Sequence, residues 1–387
     1  MPGFELIGKE ERDAVSEIFD RGGIMFRYGF DGPRQNIFKV TEFEAAFTKY
    51  LGCSHGHAVN TGTAAVRTAL AALGIGPGDE VITQCFTFVA TIEAIMEAGA
   101  TPVLAEIDAS LNMDPQDLEN LITPRTKAVI PVHMLGAAAD MDRITQVAER
   151  HQIPIIEDSC QAPGTIYKGK KTGTIGKMGC FSFDFVKTMT CGEGGMVVTN
   201  DESLYRRAAE FADHGHVHDP NVPRGADPHL IPGFNYRMTE IQAAVGLAQL
   251  AKLDGILAAQ RRNKKDIVDG IKGLSDISFR ALPDSAGDGG DTLVMTFPNK
   301  ELAFKVGQSL IKDGVVTKIL PDAMGWHFAG EWAHMLARTS NYAGRDLAAC
   351  WPKSREILLS SVAVMIKIKM SDEDKAKIIT GIKKALS

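Results

Sequence analysis

Hydrophobic residues along the chain alternate between short apolar runs and amphipathic stretches of helical length. Helices are predicted over residues 9–21 and 41–51, and apolar strands then follow at 57–60, 80–84, 102–107, 128–133 and 154–157. The helices predicted between these strands cover 63–73, 88–98, 114–122 and 140–151. Such alternation implies right-handed crossovers, and therefore a mostly parallel sheet with helices on both faces.

The pattern changes near residue 180. Strands are predicted at 180–184 and 195–199, a helix at 201–212, an aperiodic stretch at 213–236, and one or two long helices at 238–272. Further strands at 292–297, 315–319 and 362–367, with helices at 300–312 and 371–386, indicate an α+β unit. We therefore expect a large α/β domain over residues 1–255, and a long helix with a smaller α+β domain over 256–387.

Composition narrows the class of protein. The 387 residues are 44% hydrophobic and 23% charged, and their net charge of −6 argues against a broad basic face for nucleic acid or an anionic membrane. No apolar run approaches the roughly 18 residues of a membrane span, and the first residues lack a signal-like pattern. Six cysteines without a C-x-x-C pair argue against a disulfide framework or structural zinc. We expect a cytoplasmic protein.

Polar residues that follow predicted strands are the candidates for chemistry, because ligands of parallel sheets bind beyond the strands' carboxyl ends. The turn at 60–63 begins a helix whose free amides could bind phosphate, although an ordinary helix cap explains it too. Asp158 ends a buried strand and needs a strong partner, unless it caps a helix. Lys187 follows an aromatic strand; a partly buried lysine reacts with aldehydes, whereas most lysines are solvated. Asn235 precedes a helix and could face a ligand or only satisfy the helix entry.

Together these positions fit one cofactor better than each fits alone. A phosphate-bearing pyridine aldehyde needs a lysine, an acid, a phosphate cup and a flat apolar face, and pyridoxal phosphate has these requirements. Phe88, after another strand, could supply the apolar face. The sequence contains neither a G-x-x-x-x-G-K-[ST] loop nor a G-x-G-x-x-G turn, which argues against nucleotide binding of those kinds.

Over nearly its whole length the sequence resembles the DegT/DnrJ/EryC1/StrS sugar aminotransferases, which are fold-type I pyridoxal-phosphate enzymes. The stretches that carry the resemblance lie at 60–65, 87–88, 123–133, 157–158, 182–187, 192–195 and 235–237. The resemblance implies an α/β enzyme that moves an amino group from L-glutamate to a keto or aldehyde sugar.

The resemblance also assigns roles to residues around the cofactor ring. Lys187 would form the Schiff base and later move a proton, and Asp158 would pair with the pyridine nitrogen. Gln161 would stand near the ring hydroxyl, and Phe88 would stack on the ring. No metal is implied.

The phosphate would be held by residues of two subunits. Gly62, Thr63 and Ser182 would bind it from one side, and Asn235 would reach it from the neighbouring subunit, because the family works as a homodimer with shared sites. A monomer would leave Asn235 without this role.

A narrower resemblance concerns the substrate. The stretches 1–5, 26–30 and 213–218 look like those of 8-amino-3,8-dideoxy-octulosonate transaminases, which aminate a lipopolysaccharide sugar, and Trp326-His327 is also kept. The alternatives are an aminotransferase for a nucleotide-linked 4-keto-sugar and a sugar dehydratase, which Lys187 disfavours because such relatives replace the lysine. A non-enzymatic protein on this fold is a further alternative, disfavoured because every cofactor position is filled.

Three histidines in the aperiodic stretch form a separate candidate site. His214, His216 and His218 alternate, so an extended chain would place them on one face, where neutral imidazoles could bind zinc. No fourth ligand is evident in the sequence, and we favour loop structure or substrate contacts.

Overall fold

The computed structural model describes residues 3–219, 221–315, 317–318 and 320–387. Residues 1–2 of the narrower resemblance, and positions 316 and 319 of the strand predicted at 315–319, lie outside the described residues.

Strands and helices follow the predicted order closely. The strands are β1 His55–Val59, β2 Glu80–Gln84, β3 Thr101–Ala105, β4 Thr126–Ile130, β5 Ile156–Asp158, β6 Ile166–Tyr167, β7 Lys170–Lys171, β8 Met178–Ser182, β9 Gly195–Thr199, β10 Ser278–Phe279, β11 Thr292–Thr296, β12 Thr317–Lys318 and β13 Ser361–Met365. The helices are α1 Lys9–Asp20, α2 Lys39–Leu51, α3 Gly62–Ala72, α4 Ala90–Glu97, α5 Pro115–Leu121, α6 Met141–Arg150, α7 Glu202–Ala212, α8 Glu240–Leu250, α9 Leu253–Ile271, α10 Lys300–Lys312, α11 Leu320–His327, α12 Ala333–Leu336, α13 Pro352–Leu359 and α14 Asp372–Leu386.

Seven of these strands form the large sheet. Its two ladders, β3-β2-β4 and β5-β8-β9-β1, are joined by parallel bridges from Val129 to Ile155 and from Val132 to Asp158. The strands run parallel except β9, which is antiparallel to both of its neighbours. The sheet brings the carboxyl ends of β1, β2, β5 and β8 to one edge, and this edge carries the candidate residues.

Buried side chains cover both faces of this sheet. Alanines of α3 pack over β1, β8 and β9, because small residues allow the helix to approach the strands closely. On the other face an aromatic cluster holds α2 against β8, and its rings are Phe43, Phe47, Phe181 and Phe183, with centroids 5.0 to 5.9 Å apart. Strands β8 and β9, which flank the loop 183–194 that carries Lys187, are therefore tightly packed.

The second sheet belongs to the carboxyl-terminal part. Its order is β10-β11-β13-β12, all pairs are antiparallel, and apolar residues of α9, α10 and α14 cover one face. Helix α9 runs across the predicted domain boundary at 255/256, and the division into two domains stays a prediction.

Some elements differ from the sequence predictions. Helix α3 begins at Gly62 rather than Thr63, because the Thr61 side chain caps it by accepting the N–H of Ala64 at 3.0 Å. The hairpin β6–β7 and strand β10 were not predicted, since two-residue strands carry no periodic signal. Helices α11 to α13 were also missed.

Within the described ranges, no single helix has both the length and the apolar composition to cross a bilayer. Helices α8 and α9, bent by 53° at their junction, reach those criteria only as a pair.

Candidate active site

A cavity of about 610 Å³ opens at the carboxyl edge of the large sheet. Seven of the eight predicted site residues line it: Gly62, Thr63, Phe88, Asp158, Gln161, Ser182 and Lys187. These residues come from the ends of four different strands, so the cavity is a product of the parallel topology and not of local sequence.

Asp158 lies at the end of β5 and is only 4% exposed. Its two carboxylate oxygens each accept one hydrogen bond, Oδ2 from the Thr91 hydroxyl at 2.8 Å and Oδ1 from the Cys160 N–H at 3.1 Å. The Thr91 hydroxyl is itself 3.0 Å from that of Thr87. Two donors fix the orientation of the carboxylate and stabilise its negative charge.

Lys187 lies on the loop that follows β8. Its N–H donates to the carbonyl of Asp184 at 3.0 Å, which closes a turn, and its side chain lines the cavity. The ammonium Nζ is 5.8 Å from the centroid of the Phe88 ring. Lysine, carboxylate and aromatic ring therefore share one cavity.

The amino end of α3 forms another part of the cavity wall. The first amides of a helix have no partner within the helix, and here they belong to residues that line the cavity. Gly62 also permits close packing, since a Cβ atom at this position would lie 2.6 Å from Cβ and 2.9 Å from Oγ of Ser182. Amides and hydroxyls gathered at a helix amino terminus suit an anion.

The carboxyl-terminal part closes the cavity mouth. Thr87 N–H donates to the His327 carbonyl at 2.9 Å, and the His327 ring lies 6.0 Å from that of Phe88. His327 is buried, whereas the neighbouring Trp326 is 70% exposed at the mouth. Within the Trp-His pair, His327 thus lies next to the predicted ring-stacking residue Phe88.

Gln161 and Cys160 complete the floor. Gln161 Oε1 accepts the N–H of Leu135 at 3.1 Å, which leaves its amide nitrogen as the donor on that side chain. Burial raises the pKa of the Cys160 thiol well above its ordinary value. The thiol stays neutral and does not compete with Lys187 for an aldehyde.

Glu193 and Thr91 line the cavity but were not predicted as site residues. Burial, reinforced by nearby Asp184, raises the pKa of the Glu193 carboxyl above its ordinary value. The sequence could have indicated Thr91, because it follows Phe88 by three residues near the start of α4. That spacing points both side chains towards the carboxyl end of β2.

Asn235 is absent from the described lining of this cavity. It pairs with Asp213 in an isolated bridge beside β1, and its side-chain oxygen accepts the N–H of Arg237 at 3.4 Å. Its contribution to the cavity of a second subunit stays a prediction.

The stretch that holds His214, His216 and His218 is not extended, which agrees with the loop structure favoured from the sequence. His214 and His218 have positive φ angles of 56° and 60°, so the backbone turns at both. His216 pairs with Asp227 at 3.1 Å, and the His218 ring stacks on Tyr28 at 4.6 Å. The described part of the chain contains no cluster of three or more side chains that could hold a metal ion.

Comparisons with known proteins agree with this geometry. Residues 10–383 match the profile of the DegT/DnrJ/EryC1/StrS aminotransferase family. GDP-perosamine synthase of Caulobacter vibrioides is 50% identical over 253 residues, which is 65% of this chain and 64% of that protein. The match thus spans just under two thirds of that relative's length.

Two further relatives match a larger share of both chains. The spore coat polysaccharide biosynthesis protein SpsC of Bacillus subtilis is 41% identical over 284 residues, 72% of this chain and 68% of that protein. The solved aminotransferase from Psychrobacter cryohalolentis has a TM-score of 0.86 and 28% identity, over 98% of this chain and 96% of that one.

These findings confirm the predicted fold type I, the pyridoxal phosphate cofactor and the class of sugar aminotransferases. The named relatives are not octulosonate transaminases, so they leave the particular sugar open. The chain belongs to the DegT/DnrJ/EryC1/StrS aminotransferase family.

Proposed function

We propose that this protein moves an amino group from L-glutamate onto the carbonyl carbon of a sugar, with pyridoxal phosphate held in the cavity at the sheet edge. The observation that carries the proposal is the shared cavity of Lys187, Asp158 and Phe88 next to the amino terminus of α3. When bound, the cofactor supplies an aldehyde that exchanges amino groups and a ring that withdraws electrons.

The residues present fit this cofactor. Because residue 62 is glycine, the Ser182 side chain packs directly against the start of α3, and its hydroxyl lies beside the α3 amides; together these donors suit a phosphate. Asp158 presents a hydrogen-bonded carboxylate suited to a protonated ring nitrogen. Phe88 offers an apolar face, and the Gln161 amide can donate to a ring hydroxyl.

In this proposal Lys187 holds the cofactor and also transfers protons. Its amine is released when the amino donor binds; Nζ then takes the proton from the donor Cα atom as a general base. In the second half of the reaction Nζ returns a proton to the carbon that was the sugar carbonyl. The lysine side chain needs room to move between these positions, and it lines a cavity of about 610 Å³.

Asp158 has an electrostatic role. Its carboxylate would keep the ring nitrogen protonated, which strengthens electron withdrawal at the moment when the donor Cα loses its proton. Thr91 and the Cys160 N–H hold the two oxygens, so the carboxylate need not reorient during the reaction.

The first substrate candidate is 8-oxo-3,8-dideoxy-octulosonate. In support, the stretches 26–30 and 213–218, which carry the narrower resemblance, contact each other: Tyr28 stacks on His218 at 4.6 Å. The guanidinium of Arg237 also lies 5.4 Å over the Phe26 ring. The two stretches form one structural unit beside Asn235.

The second candidate is a nucleotide-linked keto-sugar. The relative that is 50% identical is a GDP-perosamine synthase, and its product carries a nucleotide. A sugar dehydratase is less well supported, because the Schiff-base position is occupied by Lys187.

The test is mass spectrometry of products from glutamate and a panel of free aldehyde acid sugars and nucleotide-linked keto-sugars. Formation of the aminated eight-carbon acid supports the first candidate, and amination of a nucleotide sugar alone supports the second. Lys187→Ala should abolish turnover and the visible absorbance of the bound cofactor. Lys127→Ala, an exposed lysine outside the cavity, is the matched control. Full activity of Lys187→Ala would overturn the proposal.

We further propose that the active form is a homodimer in which Asn235 enters the partner's cavity. Lys187→Ala and Asn235→Ala proteins should each be impaired, but their mixed dimers would contain one intact site. Random mixing should restore about a quarter of wild-type activity, since half of the dimers are mixed and each has one working site. No recovery on mixing would indicate that Asn235 acts within its own chain, and full activity of Asn235→Ala alone would show that it has no role.

A further inference from the structure

We propose that the amino-terminal segment Gly3–Leu6 is a positioning strap for the loop 184–189, and that it thereby sets where the Lys187 amine lies in the cavity. The segment forms one turn of 3-10 helix against this loop. The inference rests on the proposed role of Lys187.

The first contact is made by backbone alone. The N–H of Gly3 donates to the carbonyl oxygen of Lys187 at 2.9 Å. A Cβ atom on Gly3 would lie 2.7 Å from the Thr188 carbonyl oxygen and 2.9 Å from the Met189 Cα atom, so a larger residue cannot approach the loop this closely. The strap therefore contacts the lysine residue itself.

The second contact is aromatic. Phe4 stacks on Phe185 with ring centroids 4.8 Å apart and planes inclined by 10°. The two side chains are 40% and 50% exposed, so each ring covers a face of the other that solvent would otherwise reach. Phe185 precedes the lysine by two residues and is not among the described residues that line the cavity, so the stack holds the loop from outside the cavity.

The strap is anchored at its other end to two further parts of the molecule. Lys252, at the junction of α8 and α9, donates from Nζ to the Leu6 carbonyl at 2.8 Å and also pairs with Glu11 at 2.7 Å. The Glu5 carboxylate accepts the N–H of Lys369 at 2.8 Å. These bonds fix the segment to the junction of α8 and α9 and to the carboxyl-terminal part.

The loop ends at Met189, which is buried in the aromatic cluster of α2 and β8, whereas the turn 184–187 before it has few other restraints. The turn is closed by Lys187 N–H to the Asp184 carbonyl at 3.0 Å and by Val186 N–H to the Asp184 carboxylate at 3.1 Å, both of them local bonds. Local bonds hold the shape of a turn but not its place relative to the sheet. The strap adds the contacts that connect the turn to distant elements.

The test compares two glycine-to-alanine changes, one within the segment and one two residues after it. Gly3→Ala removes the close approach to the loop, whereas at Gly8 a Cβ atom would meet nothing nearer than 3.7 Å, so Gly8→Ala is the matched control. Phe4→Ala, which removes the stack without a clash, is a second variant. Hydrogen exchange of loop amides 184–189 is measured in the cofactor-free protein, and the pH midpoint of the visible cofactor band in the loaded protein.

Gly3→Ala, through the displaced hydrogen bond, and Phe4→Ala, through the lost ring stack, should each speed exchange of the loop by about fivefold, since either interaction contributes about 1 kcal/mol. Both should also move the pH midpoint of the band relative to Gly8→Ala. Loop exchange equal to that of Gly8→Ala, or faster exchange with an unmoved midpoint, would overturn the positioning role and leave the proposed function intact. A cofactor band retained by Lys187→Ala would overturn the proposed function and the strap's role with it.

Discussion

Replacing Thr91 by valine is the sharpest test of the buried carboxylate. The Thr91 hydroxyl is 3.0 Å from that of Thr87 and donates to Asp158 Oδ2 at 2.8 Å, so its own proton points at the carboxylate. Valine has nearly the same shape, but it presents a methyl group where the oxygen needs a donor. The change therefore removes one interaction and leaves the cavity wall in place.

The structure sets the size of the effect. Asp158 is 4% exposed, so water cannot easily replace the lost donor, and the Cys160 N–H serves the other oxygen. A hydrogen bond to a charged group contributes about 1.5–3 kcal/mol. At about 1.4 kcal/mol for each factor of ten, Thr91→Val should lower kcat/KM by about 10- to 150-fold.

The assay measures kcat, KM and cofactor affinity with glutamate as donor. Thr68→Val is the matched control, because the Thr68 hydroxyl is buried on α3 and has no hydrogen-bond partner within the described residues. That change should leave kinetics unaltered and preserve or raise stability, since it removes an unsatisfied polar atom. Thr91→Ser keeps the donor and should recover most of the activity.

Equal kinetics for Thr91→Val and Thr68→Val would refute the reasoning. It would mean that Asp158 keeps its orientation and charge without the threonine, or that it does not serve the reaction. Loss of activity in Thr91→Ser as well would instead point to packing of the side chain as the cause.

Three further predictions concern the cofactor cup and the stability of the fold. Gly62→Ala should weaken cofactor binding by about 5- to 150-fold, because its Cβ atom would lie 2.6 Å from Ser182 and overpacking costs about 1–3 kcal/mol; spectroscopic titration of the cofactor checks this. Glu157→Gln should destabilise the cofactor-free protein by about 3–5 kcal/mol in urea unfolding, because this buried carboxylate accepts three loop N–H groups and the His133 imidazole. Burial, with the Arg27 guanidinium nearby, holds the pKa of His57 well below 6.5. Because His57 folds neutral, its stabilising contribution is complete above pH 6.5 and is lost as the pH falls below that value, by up to about 1.4 kcal/mol per pH unit; His57→Asn should flatten the profile.

Each of these has a control and a contrary outcome. Gly255→Ala, where a Cβ atom meets nothing within 4 Å, should bind cofactor normally, and equal affinity of both alanine variants would contradict the cup. Glu119→Gln, at an exposed ion pair, should cost under about 1 kcal/mol. If Glu157→Gln costs no more than this, its hydrogen bonds contribute little. An unchanged acid limb in His57→Asn would assign the acid sensitivity to other groups.

Much of the site could be predicted because it lies at strand ends. The candidates at Asp158 and Lys187 follow buried strands, and a parallel sheet brings such positions to one edge whatever their separation in the chain. The same rule placed Phe88 and the turn before α3 together. In these cases a short local pattern was sufficient, because the parallel topology brings the strand ends together.

Other features depend on distant contacts that no local pattern records. Helix α11 contains a proline and a glycine and has weak helical character, yet it brings Trp326 and His327 to the cavity mouth. The histidines at 214–218 alternate as in a strand, but positive φ angles at two of them turn the chain. In the proposed homodimer, the place of Asn235 relative to a cavity would depend on two chains, which one sequence cannot show.

The packing of β9 explains why the stretch 192–195 after Lys187 is rich in glycine. Strand β9 pairs with the end of β1, where Gly195 lies opposite Val59, and a Cβ atom on Gly195 would overlap the Thr61 carbonyl. A Cβ atom on Gly194 would lie 2.5 Å from the Cys191 sulfur. Without these glycines β9 could not approach the turn before α3, and the lysine loop, which ends at β9, would be displaced from the proposed phosphate cup. Backbone packing at Gly194 and Gly195 thus sets the distance between the loop that carries Lys187 and the turn before α3. A substitution at either glycine can change this distance although neither residue contacts a ligand.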